Sequence, residues 1–223
     1  MMNEQTLLEQ FILENGAVAA GGCELPVSPI KGQENLRYAF SFAVKLADSV
    51  LKTVQDGPSY AYFQHYRAAN ALLDGIAFRL AEKLEEKGYN AFPVAASQSQ
   101  GKLNPYAGVY PHKTAAVLAG LGFVGKSGLF LSTEYGSKVR LATVLTDMPL
   151  KATRPIIENG CGECTACMKA CPAGAIFGGL PRTDGERNFD AEKCSAYMKK
   201  HFQDVGRGSV CGICVKVCPK NKL

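Results

Sequence analysis

The run Cys161-Gly-Glu-Cys164-Thr-Ala-Cys167-Met-Lys-Ala-Cys171-Pro172 limits what this chain can fold into more than any other stretch. Its spacing, C-x2-C-x2-C-x3-C-P, is the bacterial pattern for [4Fe–4S] ligation: three closely spaced thiolates wrap one cube, and the fourth, before proline, serves a neighbouring cube. A second set follows, Cys194 and then Cys211-Gly-Ile-Cys214-Val-Lys-Val-Cys218-Pro219, its first ligand lying 17 residues upstream of Cys211. Crossed ligation assigns Cys161, Cys164, Cys167 and Cys218 to one cube, and Cys171, Cys194, Cys211 and Cys214 to the other. Eight of the nine cysteines are used, and only Cys23 stands apart. Zinc is the alternative, but it takes two C-x2-C pairs around one tetrahedral ion, and three successive x2 spacings ending in C-P suit a cube better. Small residues around the ligands (Gly162, Ala166, Ala170, Ala173, Gly174, Gly212) let backbone N–H groups approach the sulfurs.

The start of the chain has no basic stretch leading into an apolar one, so no secretory signal is expected. No stretch approaches the roughly 18 apolar residues of a membrane span. A cytoplasmic location follows, where thiols stay reduced and a cysteine-rich segment calls for metal before disulfides. At 223 residues, 47% hydrophobic and 20% charged, the chain has enough apolar material for a real core. Residues 1–150 balance 13 Lys+Arg against 13 Asp+Glu, whereas 151–223 hold 12 against 7, so the whole +5 excess sits with the cysteines. Each cube with its four thiolates carries about −2, so the excess reads mainly as local compensation, and nucleic-acid binding gains little from it.

Leu7, Leu8, Phe11 and Ile12 predict a short helix, and the alternation from Tyr38 to Leu46 predicts a half-buried strand. Asp56-Gly57-Pro58 breaks the chain before a long helix over Ser59–Lys87, with Gly88 as its C-terminal stop. Asn90–Val94 reads as a strand, Ser97–Gly108 as a polar loop, and Pro111–Ala119 as a helix entering a glycine turn. Leu129–Thr133 and Lys138–Thr146 read as a hairpin closed around Glu134–Ser137, and Met148–Asn159 as a linker.

Gly120-Leu-Gly122-Phe-Val-Gly125-Lys126-Ser127 fits both the dinucleotide form G-x-G-x-x-G and the phosphate-loop form G-x4-G-K-S. A phosphate loop must leave a strand and enter a helix, and here a helix leads in and a strand leads out. The plain reading is a glycine turn ending a helix. The functional one is a pocket where Gly120, Gly122, Gly125, Lys126 and Ser127 meet a different anionic cofactor. His65, His112 and His201 form no ligand pair, and Tyr60, Tyr62 and Tyr66 read as packing. Cys23 reads as a buried thiol, since nothing nearby lowers its pKa.

The segment Ala119–Lys126, the ending Leu145-Thr-Asp-Met-Pro-Leu150, the insertion Asp190–Tyr197 and the close Cys211–Pro219 together resemble epoxyqueuosine reductase and the related reductive dehalogenase core. The resemblance is best over residues 110–220. It implies an α+β chain: a nitroreductase-like α/β cofactor domain over 1–150, followed by a bacterial-type two-[4Fe–4S] ferredoxin domain over 151–223. It also implies an oxidoreductase in which an external donor such as ferredoxin or flavodoxin feeds two clusters. These pass electrons to a base-off cobalamin (flavin being the alternative) that reduces a small-molecule or nucleoside substrate, with tRNA as a partner. Where the family carries an acidic proton donor, Gly108-Val-Tyr110-Pro-His112 has no carboxylate, so Tyr110 and His112 are the candidate donors. The chain stops five residues after Cys218, as a short paralogue without the C-terminal extension would. A two-cluster electron-transfer protein or subunit, docking a redox partner and having no substrate of its own, is the alternative.

Overall fold

In the computed structural model the described residues are 3–101, 105–158, 160–179 and 188–221. Part of the expected polar loop (102–104) and the end of the expected linker (159) lie outside them. The chain does not divide once near residue 150. Contacts group it into two units of three segments each: Met1–Lys45, Ala69–Gly122 and Arg140–Ile157 in the first, and Leu46–Ala68, Phe123–Val139 and Glu158–Leu223 in the second.

The first unit is built on a four-stranded sheet in the order β1-β2-β6-β3, with β1 at Ala19–Glu24, β2 at Tyr38–Lys45, β3 at Ala91–Val94 and β6 at Val139–Thr146. β1 runs antiparallel to β2, with Gly21 opposite Ser41, and β3 runs antiparallel to β6, with Phe92 opposite Leu145. β2 is inside the sheet and buried on both faces, not half-buried: Phe40 and Phe42 are fully enclosed, and so are Ala39 and Ser41 on the opposite face. Helix α1 (Glu4–Glu14) packs on β1 and is capped by Asn3, whose side chain accepts from Thr6 N. α4 (His112–Leu118) packs on β1 and β2.

Strand β1 has no alternating aliphatic signal because its neighbours leave no room for one. A Cβ at Gly21 would lie 3.3 Å from Ala119 Cβ, and one at Gly22 would lie 3.1 Å from Leu150 Cβ. The long helix α3 (Tyr60–Glu86) runs within a residue or so of the expected span. Beyond it Gly88 N bonds Glu85 O and Tyr89 N bonds Leu84 O, the Schellman arrangement, and Gly88 takes the φ of +85° that this stop requires.

The second unit opens with α2 (Asp48–Leu51), where the Ala47 amide donates to His65 Nε2 at 2.9 Å. Lys138 is buried, and its Nζ lies 2.7 Å from Asp48 Oδ1, which supplies the partner a buried ammonium needs. Tyr62 and Phe63, at the start of α3, pack against Gly212 and Gly206, and Phe202 packs against Gly57. These contacts tie Leu46–Ala68 to the cysteine-rich segment.

β4 (Gly122–Val124) and β5 (Phe130–Ser132) form a separate two-stranded sheet. The expected hairpin is therefore corrected: β5 pairs with β4, and β6 enters the four-stranded sheet. The turn thought to close it meets the end of the chain instead, since a Cβ on Gly136 would sit 2.6 Å from the Lys220 backbone. Alternation reports which faces a strand buries and not which strand it pairs with. Helices α5 (Ala166–Ala170), α6 (Ala191–His201) and α7 (Ile213–Lys216) complete the unit, and α5 packs against α7.

Candidate metal centre

The cysteines are delivered by two similar pieces of chain. Cys167 lies in α5 and Cys171-Pro172 follows it; Cys214 lies in α7 and Cys218-Pro219 follows that. α6, capped by the Asp190 side chain accepting from Lys193 N at 2.8 Å, presents Cys194. Mutual electrostatics sort the thiols. Burial raises the pKa of Cys167, and so do Cys161, Cys164 and Cys218; burial also raises that of Cys218, with Cys161 and Cys164 adding to it. Burial pushes Cys194 up to about 11, with Cys211 and Cys171 contributing, and pushes Cys214 up to about 12, with Cys211, Cys194 and Cys171 ahead of Cys167. These couplings link thiols mostly within the two crossed sets expected from spacing, with Cys214 also coupled to Cys167.

Around the first set lies an open cavity lined by Cys161, Cys164, Cys167 and Cys218, with Lys126 and Leu131 on its wall. Cys214 also reaches this wall, but its strongest thiol neighbours belong to the second set. Backbone N–H groups are aimed at the sulfurs, as the Ala175 amide is at Cys171 Sγ, 3.4 Å away. Behind Cys218, Ser137 Oγ donates to Val215 O at 3.1 Å, and the buried Asn221 side chain accepts from Ser137 N at 2.9 Å. Among the described residues no group of three or more Cys, His, Asp or Glu is arranged to hold a single ion. Eight thiols in two sets of four, with amides turned toward sulfur, fit two cubes.

Residues 160–221 match the family described as the 4Fe-4S double cluster binding domain. This segment is a double-[4Fe–4S] domain.

The chain is also 38% identical over 116 residues to an epoxyqueuosine reductase of Lactococcus garvieae, covering 48% of this chain and 31% of that one. It is 30% identical over 193 residues to the Salmonella typhimurium epoxyqueuosine reductase, covering 79% and 45%. The chain thus spans less than half the length of these relatives. Among solved structures, the catabolic reductive dehalogenase NpRdhA superposes with a TM-score of 0.78 at 23% identity, covering 96% of this chain and 31% of that one. Epoxyqueuosine reductase from Streptococcus thermophilus superposes at 0.67 and 20% identity, covering 100% and 67%. The chain resembles both groups, and its mixed α/β fold is theirs. No helix among the described residues is long and apolar enough to cross a membrane.

The five residues nominated for an anionic cofactor divide between the units. Gly120 ends α4, where Gly120 N bonds Val117 O and Leu121 N bonds Ala116 O, and a Cβ there would strike Arg154 at 2.7 Å. Gly120 and Gly122 belong to the first unit, and Gly125, Lys126 and Ser127 to the second. The helix-then-strand order around them excludes a phosphate loop.

Tyr110 is buried in the first unit, where burial, then Cys23, raises its pKa. His112 Nε2 donates to Ala95 O at 3.0 Å, so Nδ1 accepts from Thr143 Oγ1 at 2.9 Å; burial lowers the pKa and keeps the ring neutral. Spacing gives no sign of what surrounds this ring. Arg140 Nε donates to Asn70 Oδ1 at 2.9 Å, and Asp74 accepts from Ala96 N at 2.8 Å. Only a signal independent of periodicity, polar residues on otherwise apolar faces of α3 and β6, could have marked them.

Proposed function

We propose that this chain is an iron–sulfur reductase of the epoxyqueuosine reductase and reductive dehalogenase kind. The observation that carries the reading is the match of residues 160–221 to the 4Fe-4S double cluster binding domain, in a chain similar to epoxyqueuosine reductases over most of its length. An external one-electron donor such as ferredoxin or flavodoxin loads one cube, and the second cube delivers electrons to an acceptor at the reduction site. The first unit supplies that site as a nitroreductase-like α/β cofactor domain, and the substrate is a small molecule or a nucleoside, carried in tRNA or free.

The acceptor we propose is a base-off corrinoid, which when bound supplies a strongly reducing cobalt centre. Support comes from the fold, which is shared with a reductive dehalogenase whose structure suggests a mechanism for B12-dependent dehalogenation. The residues nominated to grip it do not suit that role, because Gly120 is closed off by Arg154 and Lys126 is committed to backbone carbonyls of the second unit. Of the two proton donors proposed, His112 has both ring nitrogens engaged, which leaves Tyr110 as the better placed.

Those engaged nitrogens favour a second reading, a two-cluster electron-transfer protein serving a redox partner. Anaerobic reconstitution with iron and sulfide, an iron count, and titration with cob(II)alamin followed by EPR separate the two. About eight irons per chain and conversion of the cobalt signal to the base-off form are expected. Eight irons with an unchanged cobalt signal would overturn the corrinoid reading and leave the carrier.

A further inference from the structure

The sequence Gly125-Lys126-Ser127-Gly128 imitates a phosphate loop, yet the turn it forms faces the first thiol set. The turn closes on itself through Gly128 N to Gly125 O and Gly125 N to Leu129 O, both 2.9 Å. A Cβ on Gly125 would sit 3.1 Å from Cys161 Sγ and 2.6 Å from Leu131, so this glycine allows the strand to press against a ligand. Ser127 is buried, its Oγ accepting from Leu129 N at 3.4 Å. Lys126 Nζ donates to Gly162 O at 2.5 Å and to Cys164 O at 3.2 Å. Both carbonyls belong to the Cys161–Cys164 loop, and Lys126 shares a cavity wall with all four thiols of the set.

A phosphate-binding lysine needs a free ammonium and a helix N-terminus beside it. Here the ammonium is spent on two carbonyls 36 and 38 positions away in sequence, and β5 follows the turn. We propose that Lys126 is a positioning residue of the first [4Fe–4S] centre, and that the whole Gly125–Gly128 turn is a cluster-holding element.

Two effects follow from one side chain. By tying two carbonyls of the ligand loop, Lys126 reduces the freedom of Cys161 and Cys164 to leave the metal. By placing a cation beside a cube of charge about −2 that becomes about −3 on reduction, it favours the reduced state. The inference rests on the double-cluster domain alone, and the fate of the corrinoid reading does not touch it.

The test compares wild type, Lys126→Met and Lys126→Arg after anaerobic reconstitution, using iron counts, iron-release rates to a chelator, and EPR-monitored redox titration. Cys164→Ala and Cys194→Ala assign the two signals. Lys126→Met is expected to raise the oxidised-to-reduced ratio of the first cluster about tenfold at fixed potential, a fall of about 59 mV for a one-electron couple. Iron should leave that cluster several-fold faster, with the second cluster unmoved, and Lys126→Arg should restore most of both properties because it keeps the charge and the donors. If Lys126→Met takes up only the second cluster, a count near four irons with that signal intact supports the assignment equally. Unchanged potential and release at the first cluster would overturn it, as would equal changes at both clusters. ATP binding by wild type that Lys126→Met abolishes would overturn it too, in favour of a phosphate site.

Discussion

Cys23 lies in β1 with its Sγ 3.7 Å from Ala39 O and 3.6 Å from Ala115 O, carbonyls that hold the thiol proton in place. Burial lifts its pKa from 9.0 to about 12. The protonated form is the one the fold stabilises, so that stabilisation is complete below pH 9.0. It is lost progressively as pH rises toward about 12, because the unfolded chain ionises first. The expected outcome is an alkaline decline in denaturant midpoint that is shallower in Cys23→Ser than in wild type, the two proteins being compared below and inside that window. Identical slopes would show that the thiol does not keep its proton in the fold. The same burial makes Cys23 a poor nucleophile.

At the scale of elements, the proposed crossed ligation is an exchange between α5 and α7: each helix would give one cysteine to its own set and the C-P cysteine after it to the other. Cys194 enters this exchange from α6, so its loss should empty one set and spare its neighbour. Cys194→Ala is expected to bind about four irons instead of about eight and to keep one EPR-active cluster, while Cys164→Ala should lose the complementary signal. An unchanged iron count in Cys194→Ala would break the assignment. The double-cluster domain was legible in sequence because ligand spacing within a loop is a local constraint, and α1, α3 and α4 were legible because their buried faces recur at helical period. β1 was not, since Gly21 and Gly22 are small to admit Ala119 and Leu150, a demand made by distant residues. For the same reason the partner of β5, the bond from Lys126 to Gly162 O and the Ser137–Asn221 support behind Cys218 could not be read from spacing. Each depends on the folded arrangement and not on a local repeat.

Across the whole molecule the apolar core and the metal ligands are unevenly shared. In the first unit Ile12, Leu36, Phe40, Phe42, Leu73, Ile76, Leu80 and Leu84 are fully buried. Between residues 160 and 221 the buried apolar side chains described are Ala175, Ile176, Val210, Ile213 and Val215. So small a core does not by itself offset the conformational entropy of ordering the segment, and metal–thiolate bonds must contribute the difference, as they do in small metal-stapled domains. Removing iron from the holoprotein under anaerobic conditions should therefore act unequally. Hydrogen exchange is expected to show amides of α5, α6 and α7 losing protection, while those of β2, β6 and the Ala69–Glu86 part of α3 retain it. The burial-raised thiols add a sign to this: iron must displace protons from Cys194 and Cys214, so iron uptake should strengthen as pH rises from acid toward neutral and beyond. Uniform loss of protection across both units would mean that the sheet depends on the clusters for its stability, and unchanged protection everywhere would mean that the cysteine-rich segment folds without them.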